Sequence, residues 1–169
     1  MNYFELFDLA VDFDLDTGEL ARRYRLLQQQ FHPDRFASGS EREKLTALQK
    51  TAQINDGFQT LKTPLSRAEH MLALRGIELA HEQRTLRDPQ FLMKQMELRE
   101  ALEEIDTPEA VLDMDVQLQS EIKQLTDALR AEIIAIDNDT AADTIRKLKF
   151  MHKLRDELER IEDSLMDSW

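Results

Sequence analysis

The chain has 169 residues, of which 41% are hydrophobic, with four glycines, four prolines, no cysteine and a formal net charge of −12. This suffices for one domain or two small ones, and the scarcity of glycine and proline favours long helices over a turn-rich β protein. The missing cysteine excludes a disulfide framework, a thiolate zinc site and a cysteine-held cluster, and the acidic balance argues against DNA, which needs net positive charge on a broad face.

The charge is unevenly spread. Residues 1–75 carry ten Lys/Arg against eleven Asp/Glu, whereas residues 76–169 carry twelve against twenty-three. Met1-Asn2-Tyr3-Phe4-Glu5 lacks a charged-then-apolar leader and no run approaches membrane-spanning length, so a soluble cytoplasmic protein is expected.

Tyr3 to Leu9 is a heavily apolar opening that reads as a brief helix packed on a helical pair. Asp16, with Glu19 three residues on, marks the start of the first long helix. On a wheel of 100° per residue, Leu20, Tyr24, Leu27 and Phe31 fall within about 60° of each other, and Arg22, Arg25 and Gln29 fall nearly opposite. One face is therefore core, the other a cationic strip.

This helix delivers its end to His32-Pro33-Asp34. Proline fixes φ and removes a donor, so the helix must stop and the turn stiffens, holding His32 and Asp34 at the tip of a hairpin. An exposed aspartate among arginines, Arg35 included, suits a charge-paired contact with a partner's arginine. The alternative, an acid–base pair of His32 and Asp34, lacks a nucleophile at recognisable spacing and any sign of a pocket, which favours a non-enzymatic role. Arg35 to Gly39 is a short loop, and Ser40-Glu41-Arg42-Glu43 is a capping box opening the next helix. That helix carries two apolar stripes, Ala47, Thr51, Ile54, Phe58 and Leu61 beside Leu45, Leu48, Ala52 and Asn55, and so is expected to pack on two sides. A helix, His-Pro-Asp, a short loop and a second helix together resemble the J-domain, the module that stimulates DnaK-type ATPase chaperones.

Thr63-Pro64 reads as a cap with proline at the first helical position, opening a helix that runs to Arg75-Gly76. The J-domain resemblance covers residues 1–75, and 76–87 reads as the joint between domains. Glu78 and His81 have one Glu-x-x-His spacing, which di-metal bundles use in pairs. With one copy and no two histidines four apart, no metal or cofactor is expected. Asp88-Pro89 and Thr107-Pro108 are further cap-then-proline pairs, giving helices over 89–105, 108–136 and 140–166. Leu118, Ile122, Leu125, Leu129, Ile133 and Ile136 form one stripe, and Met151, Leu154, Leu158, Ile161 and Leu165 another. The fold class is all-α: a J-domain hairpin joined to an antiparallel three-helix bundle over 88–169.

The first bundle helix does not balance. Phe91, Leu98, Leu102 and Ile105 make its core stripe, while Leu92, Met93 and Met96 point about 100° to 160° away and share that face with Glu97, Glu100 and Glu104. Apolar side chains ringed by carboxylates read as a docking surface, with methionine suited to an irregular partner. The competing reading covers the face with the N-terminal domain or a second copy. Phe150 lies off its helix's core stripe and is placed at the border of the same patch.

With these stretches the chain resembles the HscB family: His32-Pro33-Asp34-Arg35-Phe36-Ala37-Ser38-Gly39-Ser40, Phe91-Leu92-Met93, Glu97-Leu98-Arg99-Glu100, and Ala141 through Phe150. The resemblance implies a cochaperone that works with a specialised DnaK-type chaperone, HscA, and delivers to it the iron–sulfur scaffold IscU. It places scaffold binding on Leu92, Met93, Met96, Glu97, Glu100, Glu104 and Phe150, with Met at 96 departing from the family's Leu. Chaperone contact falls on His32, Pro33 and Asp34, with Arg22, Arg25 and Arg35 beside them. The chain lacks the cysteine-rich N-terminal module of many eukaryotic relatives and is similar to the bacterial form. A J-protein with another client, and a helical carboxylate metalloprotein, are the alternatives.

Overall fold

The computed structural model describes residues 1–79 and 88–167. Its helices are α1 (Tyr3–Leu6), α2 (Thr17–Phe31), α3 (Glu41–Leu61), α4 (Pro64–Leu74), α5 (Pro89–Glu103), α6 (Pro108–Ile134) and α7 (Asn138–Asp167), with a 3₁₀ turn at Pro33–Phe36. The chain divides into two compact units, Met1–Glu78 and Leu79–Trp169. The all-α architecture stands as read from the sequence.

Helix starts follow the caps. Asp16, Ser40, Asp88 and Thr107 each accept a backbone N–H three residues on, offsetting donors that the first turn leaves unpaired. Thr63 occupies the same position ahead of α4, yet its hydroxyl pairs with that of Ser66 instead. Gly76 ends α4 as expected: its φ is +87°, and Ile77 N–H reaches back to the Leu72 carbonyl at 2.9 Å, a Schellman closure.

The end of α6 departs from expectation. Ile136 does not continue the apolar stripe; it leaves the helix at φ +57° and is 67% exposed. Asp137 N–H bonds the Glu132 carbonyl at 3.0 Å, so a β-branched residue fills the left-handed position that glycine normally takes. We expect Ile136→Gly to stabilise the bundle by about 1 kcal/mol, since the left-handed backbone costs an L-residue about 1–2 kcal/mol and the exposed side chain contributes little packing. Denaturant unfolding checks this, and an unchanged or lower midpoint would remove the strain argument.

In the first unit, Phe4, Phe7, Phe13, Leu20, Ala47, Ile54, Leu61, Ala68, Met71 and Leu72 are buried. The opening helix crosses α3 over Gly57, where an added Cβ would lie 2.9 Å from the Tyr3 ring. The second stripe of α3 is not the packing surface expected: Leu45 and Leu48 are 56% and 55% exposed, Ala52 is exposed as well, and only Asn55 is half-buried, so that side of the helix largely faces solvent. Arg67, 4% exposed, donates to the carbonyls of Leu61 at 2.9 Å and Phe13 at 2.6 Å, tying the end of α3 to the segment before α2.

His70 stacks on Tyr3 and accepts the Tyr3 N–H through Nε2 at 3.0 Å. Burial, and then the nearby N-terminal ammonium, hold its pKa below the ordinary value. The unfolded chain therefore takes up the proton first, so this contribution is complete above about pH 6.5 and is lost as pH falls below it. Thermal melts at pH 7.5 and 5.5 should show this loss reduced in His70→Gln, which keeps an acceptor; an equal drop in both proteins would count against it. His152, lowered chiefly by burial, adds a decline of the same sign in the bundle.

In the second unit, Phe91, Leu98 and Leu102 of α5 pack on Val111, Met114 and Leu118 of α6 and Met151, Leu154 and Leu158 of α7. Ion pairs fix the register: Asp88–Lys147 at 2.8 Å and Arg99–Glu157 at 2.6 Å join α5 to α7, and Lys94–Glu121 at 3.1 Å joins it to α6. The start of α7 also contributes core through Ala141, Ala142, Ile145 and Leu148. Thr144 is buried with them, its hydroxyl donating to Glu132 at 2.6 Å.

Candidate functional site

Two surfaces carry the residues singled out from the sequence. The first is the tip of the α2–α3 hairpin. His32 adopts φ −58°, ψ 133°, the extended conformation required before proline, so α2 ends at Phe31. Residues 33–36, expected as part of an irregular turn and loop, form a 3₁₀ turn that Pro33 opens. The His32 ring caps this turn, Nδ1 accepting the Asp34 N–H at 3.1 Å. In the neutral ring the proton then sits on Nε2, available as a donor. From the other side, the Thr51 hydroxyl donates to the Phe31 carbonyl at 3.1 Å. The stripe reading placed Thr51 as core; its work is to cap the end of α2.

The Asp34 side chain is 93% exposed and that of His32 58%, with Nδ1 3.6 Å from the carboxylate. The arginines beside them are not equivalent. Arg22 is held by Glu19, Nη2 to Oε1 at 2.6 Å and Nε to Oε2 at 3.1 Å, so its charge is already answered within the helix. Hydrogen bonds from Arg22 and then Arg23 hold the Glu19 carboxyl down at about 2. Arg23 also donates to the carbonyls of Phe7 and Asp8, fastening the opening segment to α2. Arg25 and Arg35 are exposed, and among the described residues no carboxylate forms an ion pair with them. The cationic strip is thus narrower than its sequence.

The second surface is the outer face of α5. Leu92, Met93 and Met96 are 43%, 63% and 65% exposed, and Glu97, Glu100 and Glu104 are exposed with them. The wheel had separated this face from Phe91, Leu98 and Leu102, and the packing agrees. Phe150 differs from expectation. It is half-buried, edge-on to Phe91 with ring centroids 5.9 Å apart, and packs against the bundle core. Gln95, Met96, Arg99, Glu100 and Phe150 line one shallow depression, which joins Phe150 to the α5 face. Arg99, absent from the sequence-derived set, stands over the Phe150 ring at 5.6 Å while paired with Glu157. Its signal was available only across helices.

Among the described residues no group of three or more His, Asp or Glu is placed to hold a metal ion, and no helix is long and apolar enough to cross a membrane. His81, half of the Glu-x-x-His spacing, lies outside the described residues.

The co-chaperone protein HscB homologue of Shewanella amazonensis is 55% identical over 174 residues, covering 99% of this chain and all of the relative. The chain belongs to the HscB co-chaperone family. A homologue from Shewanella baltica is 56% identical over the same share of both chains. Residues 87–159 match the family model described as the HSCB C-terminal oligomerisation domain. Chaperone HscB from Vibrio cholerae is 48% identical, with a TM-score of 0.87 over 98% of this chain and 99% of that one. Human co-chaperone protein HscB is 30% identical, with a TM-score of 0.92 over 96% of this chain and 82% of that one. As an HscB-family member, the chain is a co-chaperone.

Proposed function

We propose that this co-chaperone stimulates ATP hydrolysis by a DnaK-type chaperone of the HscA kind and brings to it the iron–sulfur scaffold of the IscU kind, for maturation of iron–sulfur proteins. In this reading residues 1–75 are the J-domain, 76–87 the joint and 88–169 the client-binding bundle. His32, Pro33 and Asp34 make the chaperone contact with Arg25 and Arg35, and Arg22 contributes by trading Glu19 for a partner carboxylate. Leu92, Met93, Met96, Glu97, Glu100, Glu104 and Phe150 hold the scaffold. The chaperone hydrolyses ATP; this chain does not.

The observation that carries the reading is the tip itself: an almost fully exposed aspartate on a turn capped from both sides. A group so held has no packing role, and a rigid presented charge suits recognition by a guanidinium. Stimulation then requires that docking favour the chaperone's hydrolysis-competent arrangement, since equal affinity for both arrangements shifts nothing. Joining the two surfaces on one chain raises the local concentration of scaffold at its chaperone.

The test is single-turnover ATP hydrolysis by the cognate chaperone, with and without scaffold, on addition of the intact chain. Acceleration by the chain, enhanced by scaffold, is expected. No acceleration by folded protein would overturn the chaperone assignment, and failure of the scaffold to bind it would overturn the client assignment alone.

A further inference from the structure

The bundle carries a third surface that neither reading uses. Pro108, Val111 and Leu112 of α6 face Leu165 and Met166 of α7 across a groove of about 400 Å³, with Glu162 on its wall. Leu112 is 65% exposed and Met166 67% exposed, and Val116, one turn beyond Leu112, is 68% exposed. Each is four residues or a helix pairing from the next, so they form one stripe. Around the α7 wheel, Glu162 and Met166 lie on the flank opposite that of Phe150, so the groove and the α5 face are separate.

The surroundings indicate the occupant. No Lys or Arg occurs between Arg99 and Lys123, whereas Glu109, Asp113 and Asp115 fall within the first turns of α6. On α7 the groove continues into a depression lined by Asp156, Glu159 and Glu162, where Arg155 is paired with Asp115 at 3.4 Å. A second copy of this chain would bring the same carboxylates against these, at a cost that grows as the interface dries. An apolar floor with an anionic rim instead complements apolar anchors flanked by Lys or Arg. We propose that the α6–α7 groove docks a cationic amphipathic helix of a partner protein, distinct from whatever occupies the α5 face.

Two fourteen-residue helical peptides test this with the full chain: one with leucines at i, i+3, i+4 and i+7 and lysines on the flanks, the other with glutamates replacing the lysines. Anisotropy should show the lysine peptide binding, weakened by added salt, and the glutamate peptide not binding. Leu112→Asn and Met166→Asn, both at exposed positions, should each weaken the lysine peptide at least about tenfold. Glu109→Lys with Asp113→Lys should weaken it as well and admit the glutamate peptide, a gain that misfolding cannot mimic. Amide shifts should centre on residues 109–116 and 162–166. Binding that survives these variants and is lost in Leu92→Asn would place the peptide on the α5 face and overturn the proposal. Self-association that Leu112→Asn abolishes, with no peptide binding, would assign the groove to a second copy and overturn it equally.

Discussion

Asp34→Asn should abolish stimulation of the chaperone while leaving the helical spectrum and melting temperature unchanged. The carboxylate is exposed and accepts no backbone hydrogen bond that would hold it in the fold. The backbone N–H that accounts for the turn belongs to residue 34 and survives the substitution. In an interface, truncating one member of a desolvated charge pair costs about 2–5 kcal/mol, which is roughly thirtyfold in affinity at the lower end. His32→Gln is a harder test because the ring caps the turn, so it should lose stimulation and also raise amide exchange at Asp34. Stimulation by Asp34→Asn equal to that of the parent would make the tip a helix stop and nothing more.

The second large effect concerns the α5 face. Leu92→Ala and Met93→Ala should each cost about 2 kcal/mol of scaffold affinity, roughly thirtyfold, if these side chains are the anchors of that interface. Both are exposed and outside the bundle core, so the unfolding midpoint should hold. Phe150→Ala should behave differently. Its ring packs on Phe91 and under Arg99, and a half-buried phenylalanine cut to alanine should cost stability of about 1–2 kcal/mol, below the range for full burial. Isothermal titration of scaffold beside denaturant unfolding separates the two contributions. If Leu92→Ala and Met93→Ala lower the midpoint with affinity per folded molecule intact, the face is core.

Much of this was legible because helices announce themselves locally. Asp16, Ser40, Asp88 and Thr107 cap where the sequence placed them, and Gly76 stops α4 in the left-handed conformation that only glycine adopts without strain. The α5 face was legible for a related reason: a wheel separates Leu92, Met93 and Met96 from Phe91, Leu98 and Leu102 without knowledge of any neighbour. What failed to show in the sequence depends on partners distant along the chain. Arg67 sits within an apolar stripe and looks like an interruption until its carbonyl partners, Leu61 and Phe13, are in place. Leu45, Leu48 and Ala52 repeat at helical spacing like a core stripe, yet all three are exposed, because among the described residues no neighbouring element covers that side of α3. Ile136 is apolar and in register, and only the chain reversal after it shows that the helix has ended. Arg22 is the exception, because Glu19 three residues before it was in plain view as a helix pair.

The clamps on the tip have a kinetic corollary. The Phe31 carbonyl and the Asp34 amide are both bonded before any partner arrives, one by Thr51 and one by His32. In the proposed chaperone contact, encounter would therefore need no slow closure of a wandering loop, and the collision rate would be set by orientation and by the field of Arg25 and Arg35. Little backbone entropy remains to be surrendered at the tip, so in that contact the ordering that accompanies docking would fall on the chaperone's side. If the module acts, as proposed, by biasing another protein's conformational equilibrium, that places the malleable half of the encounter in the partner that must change.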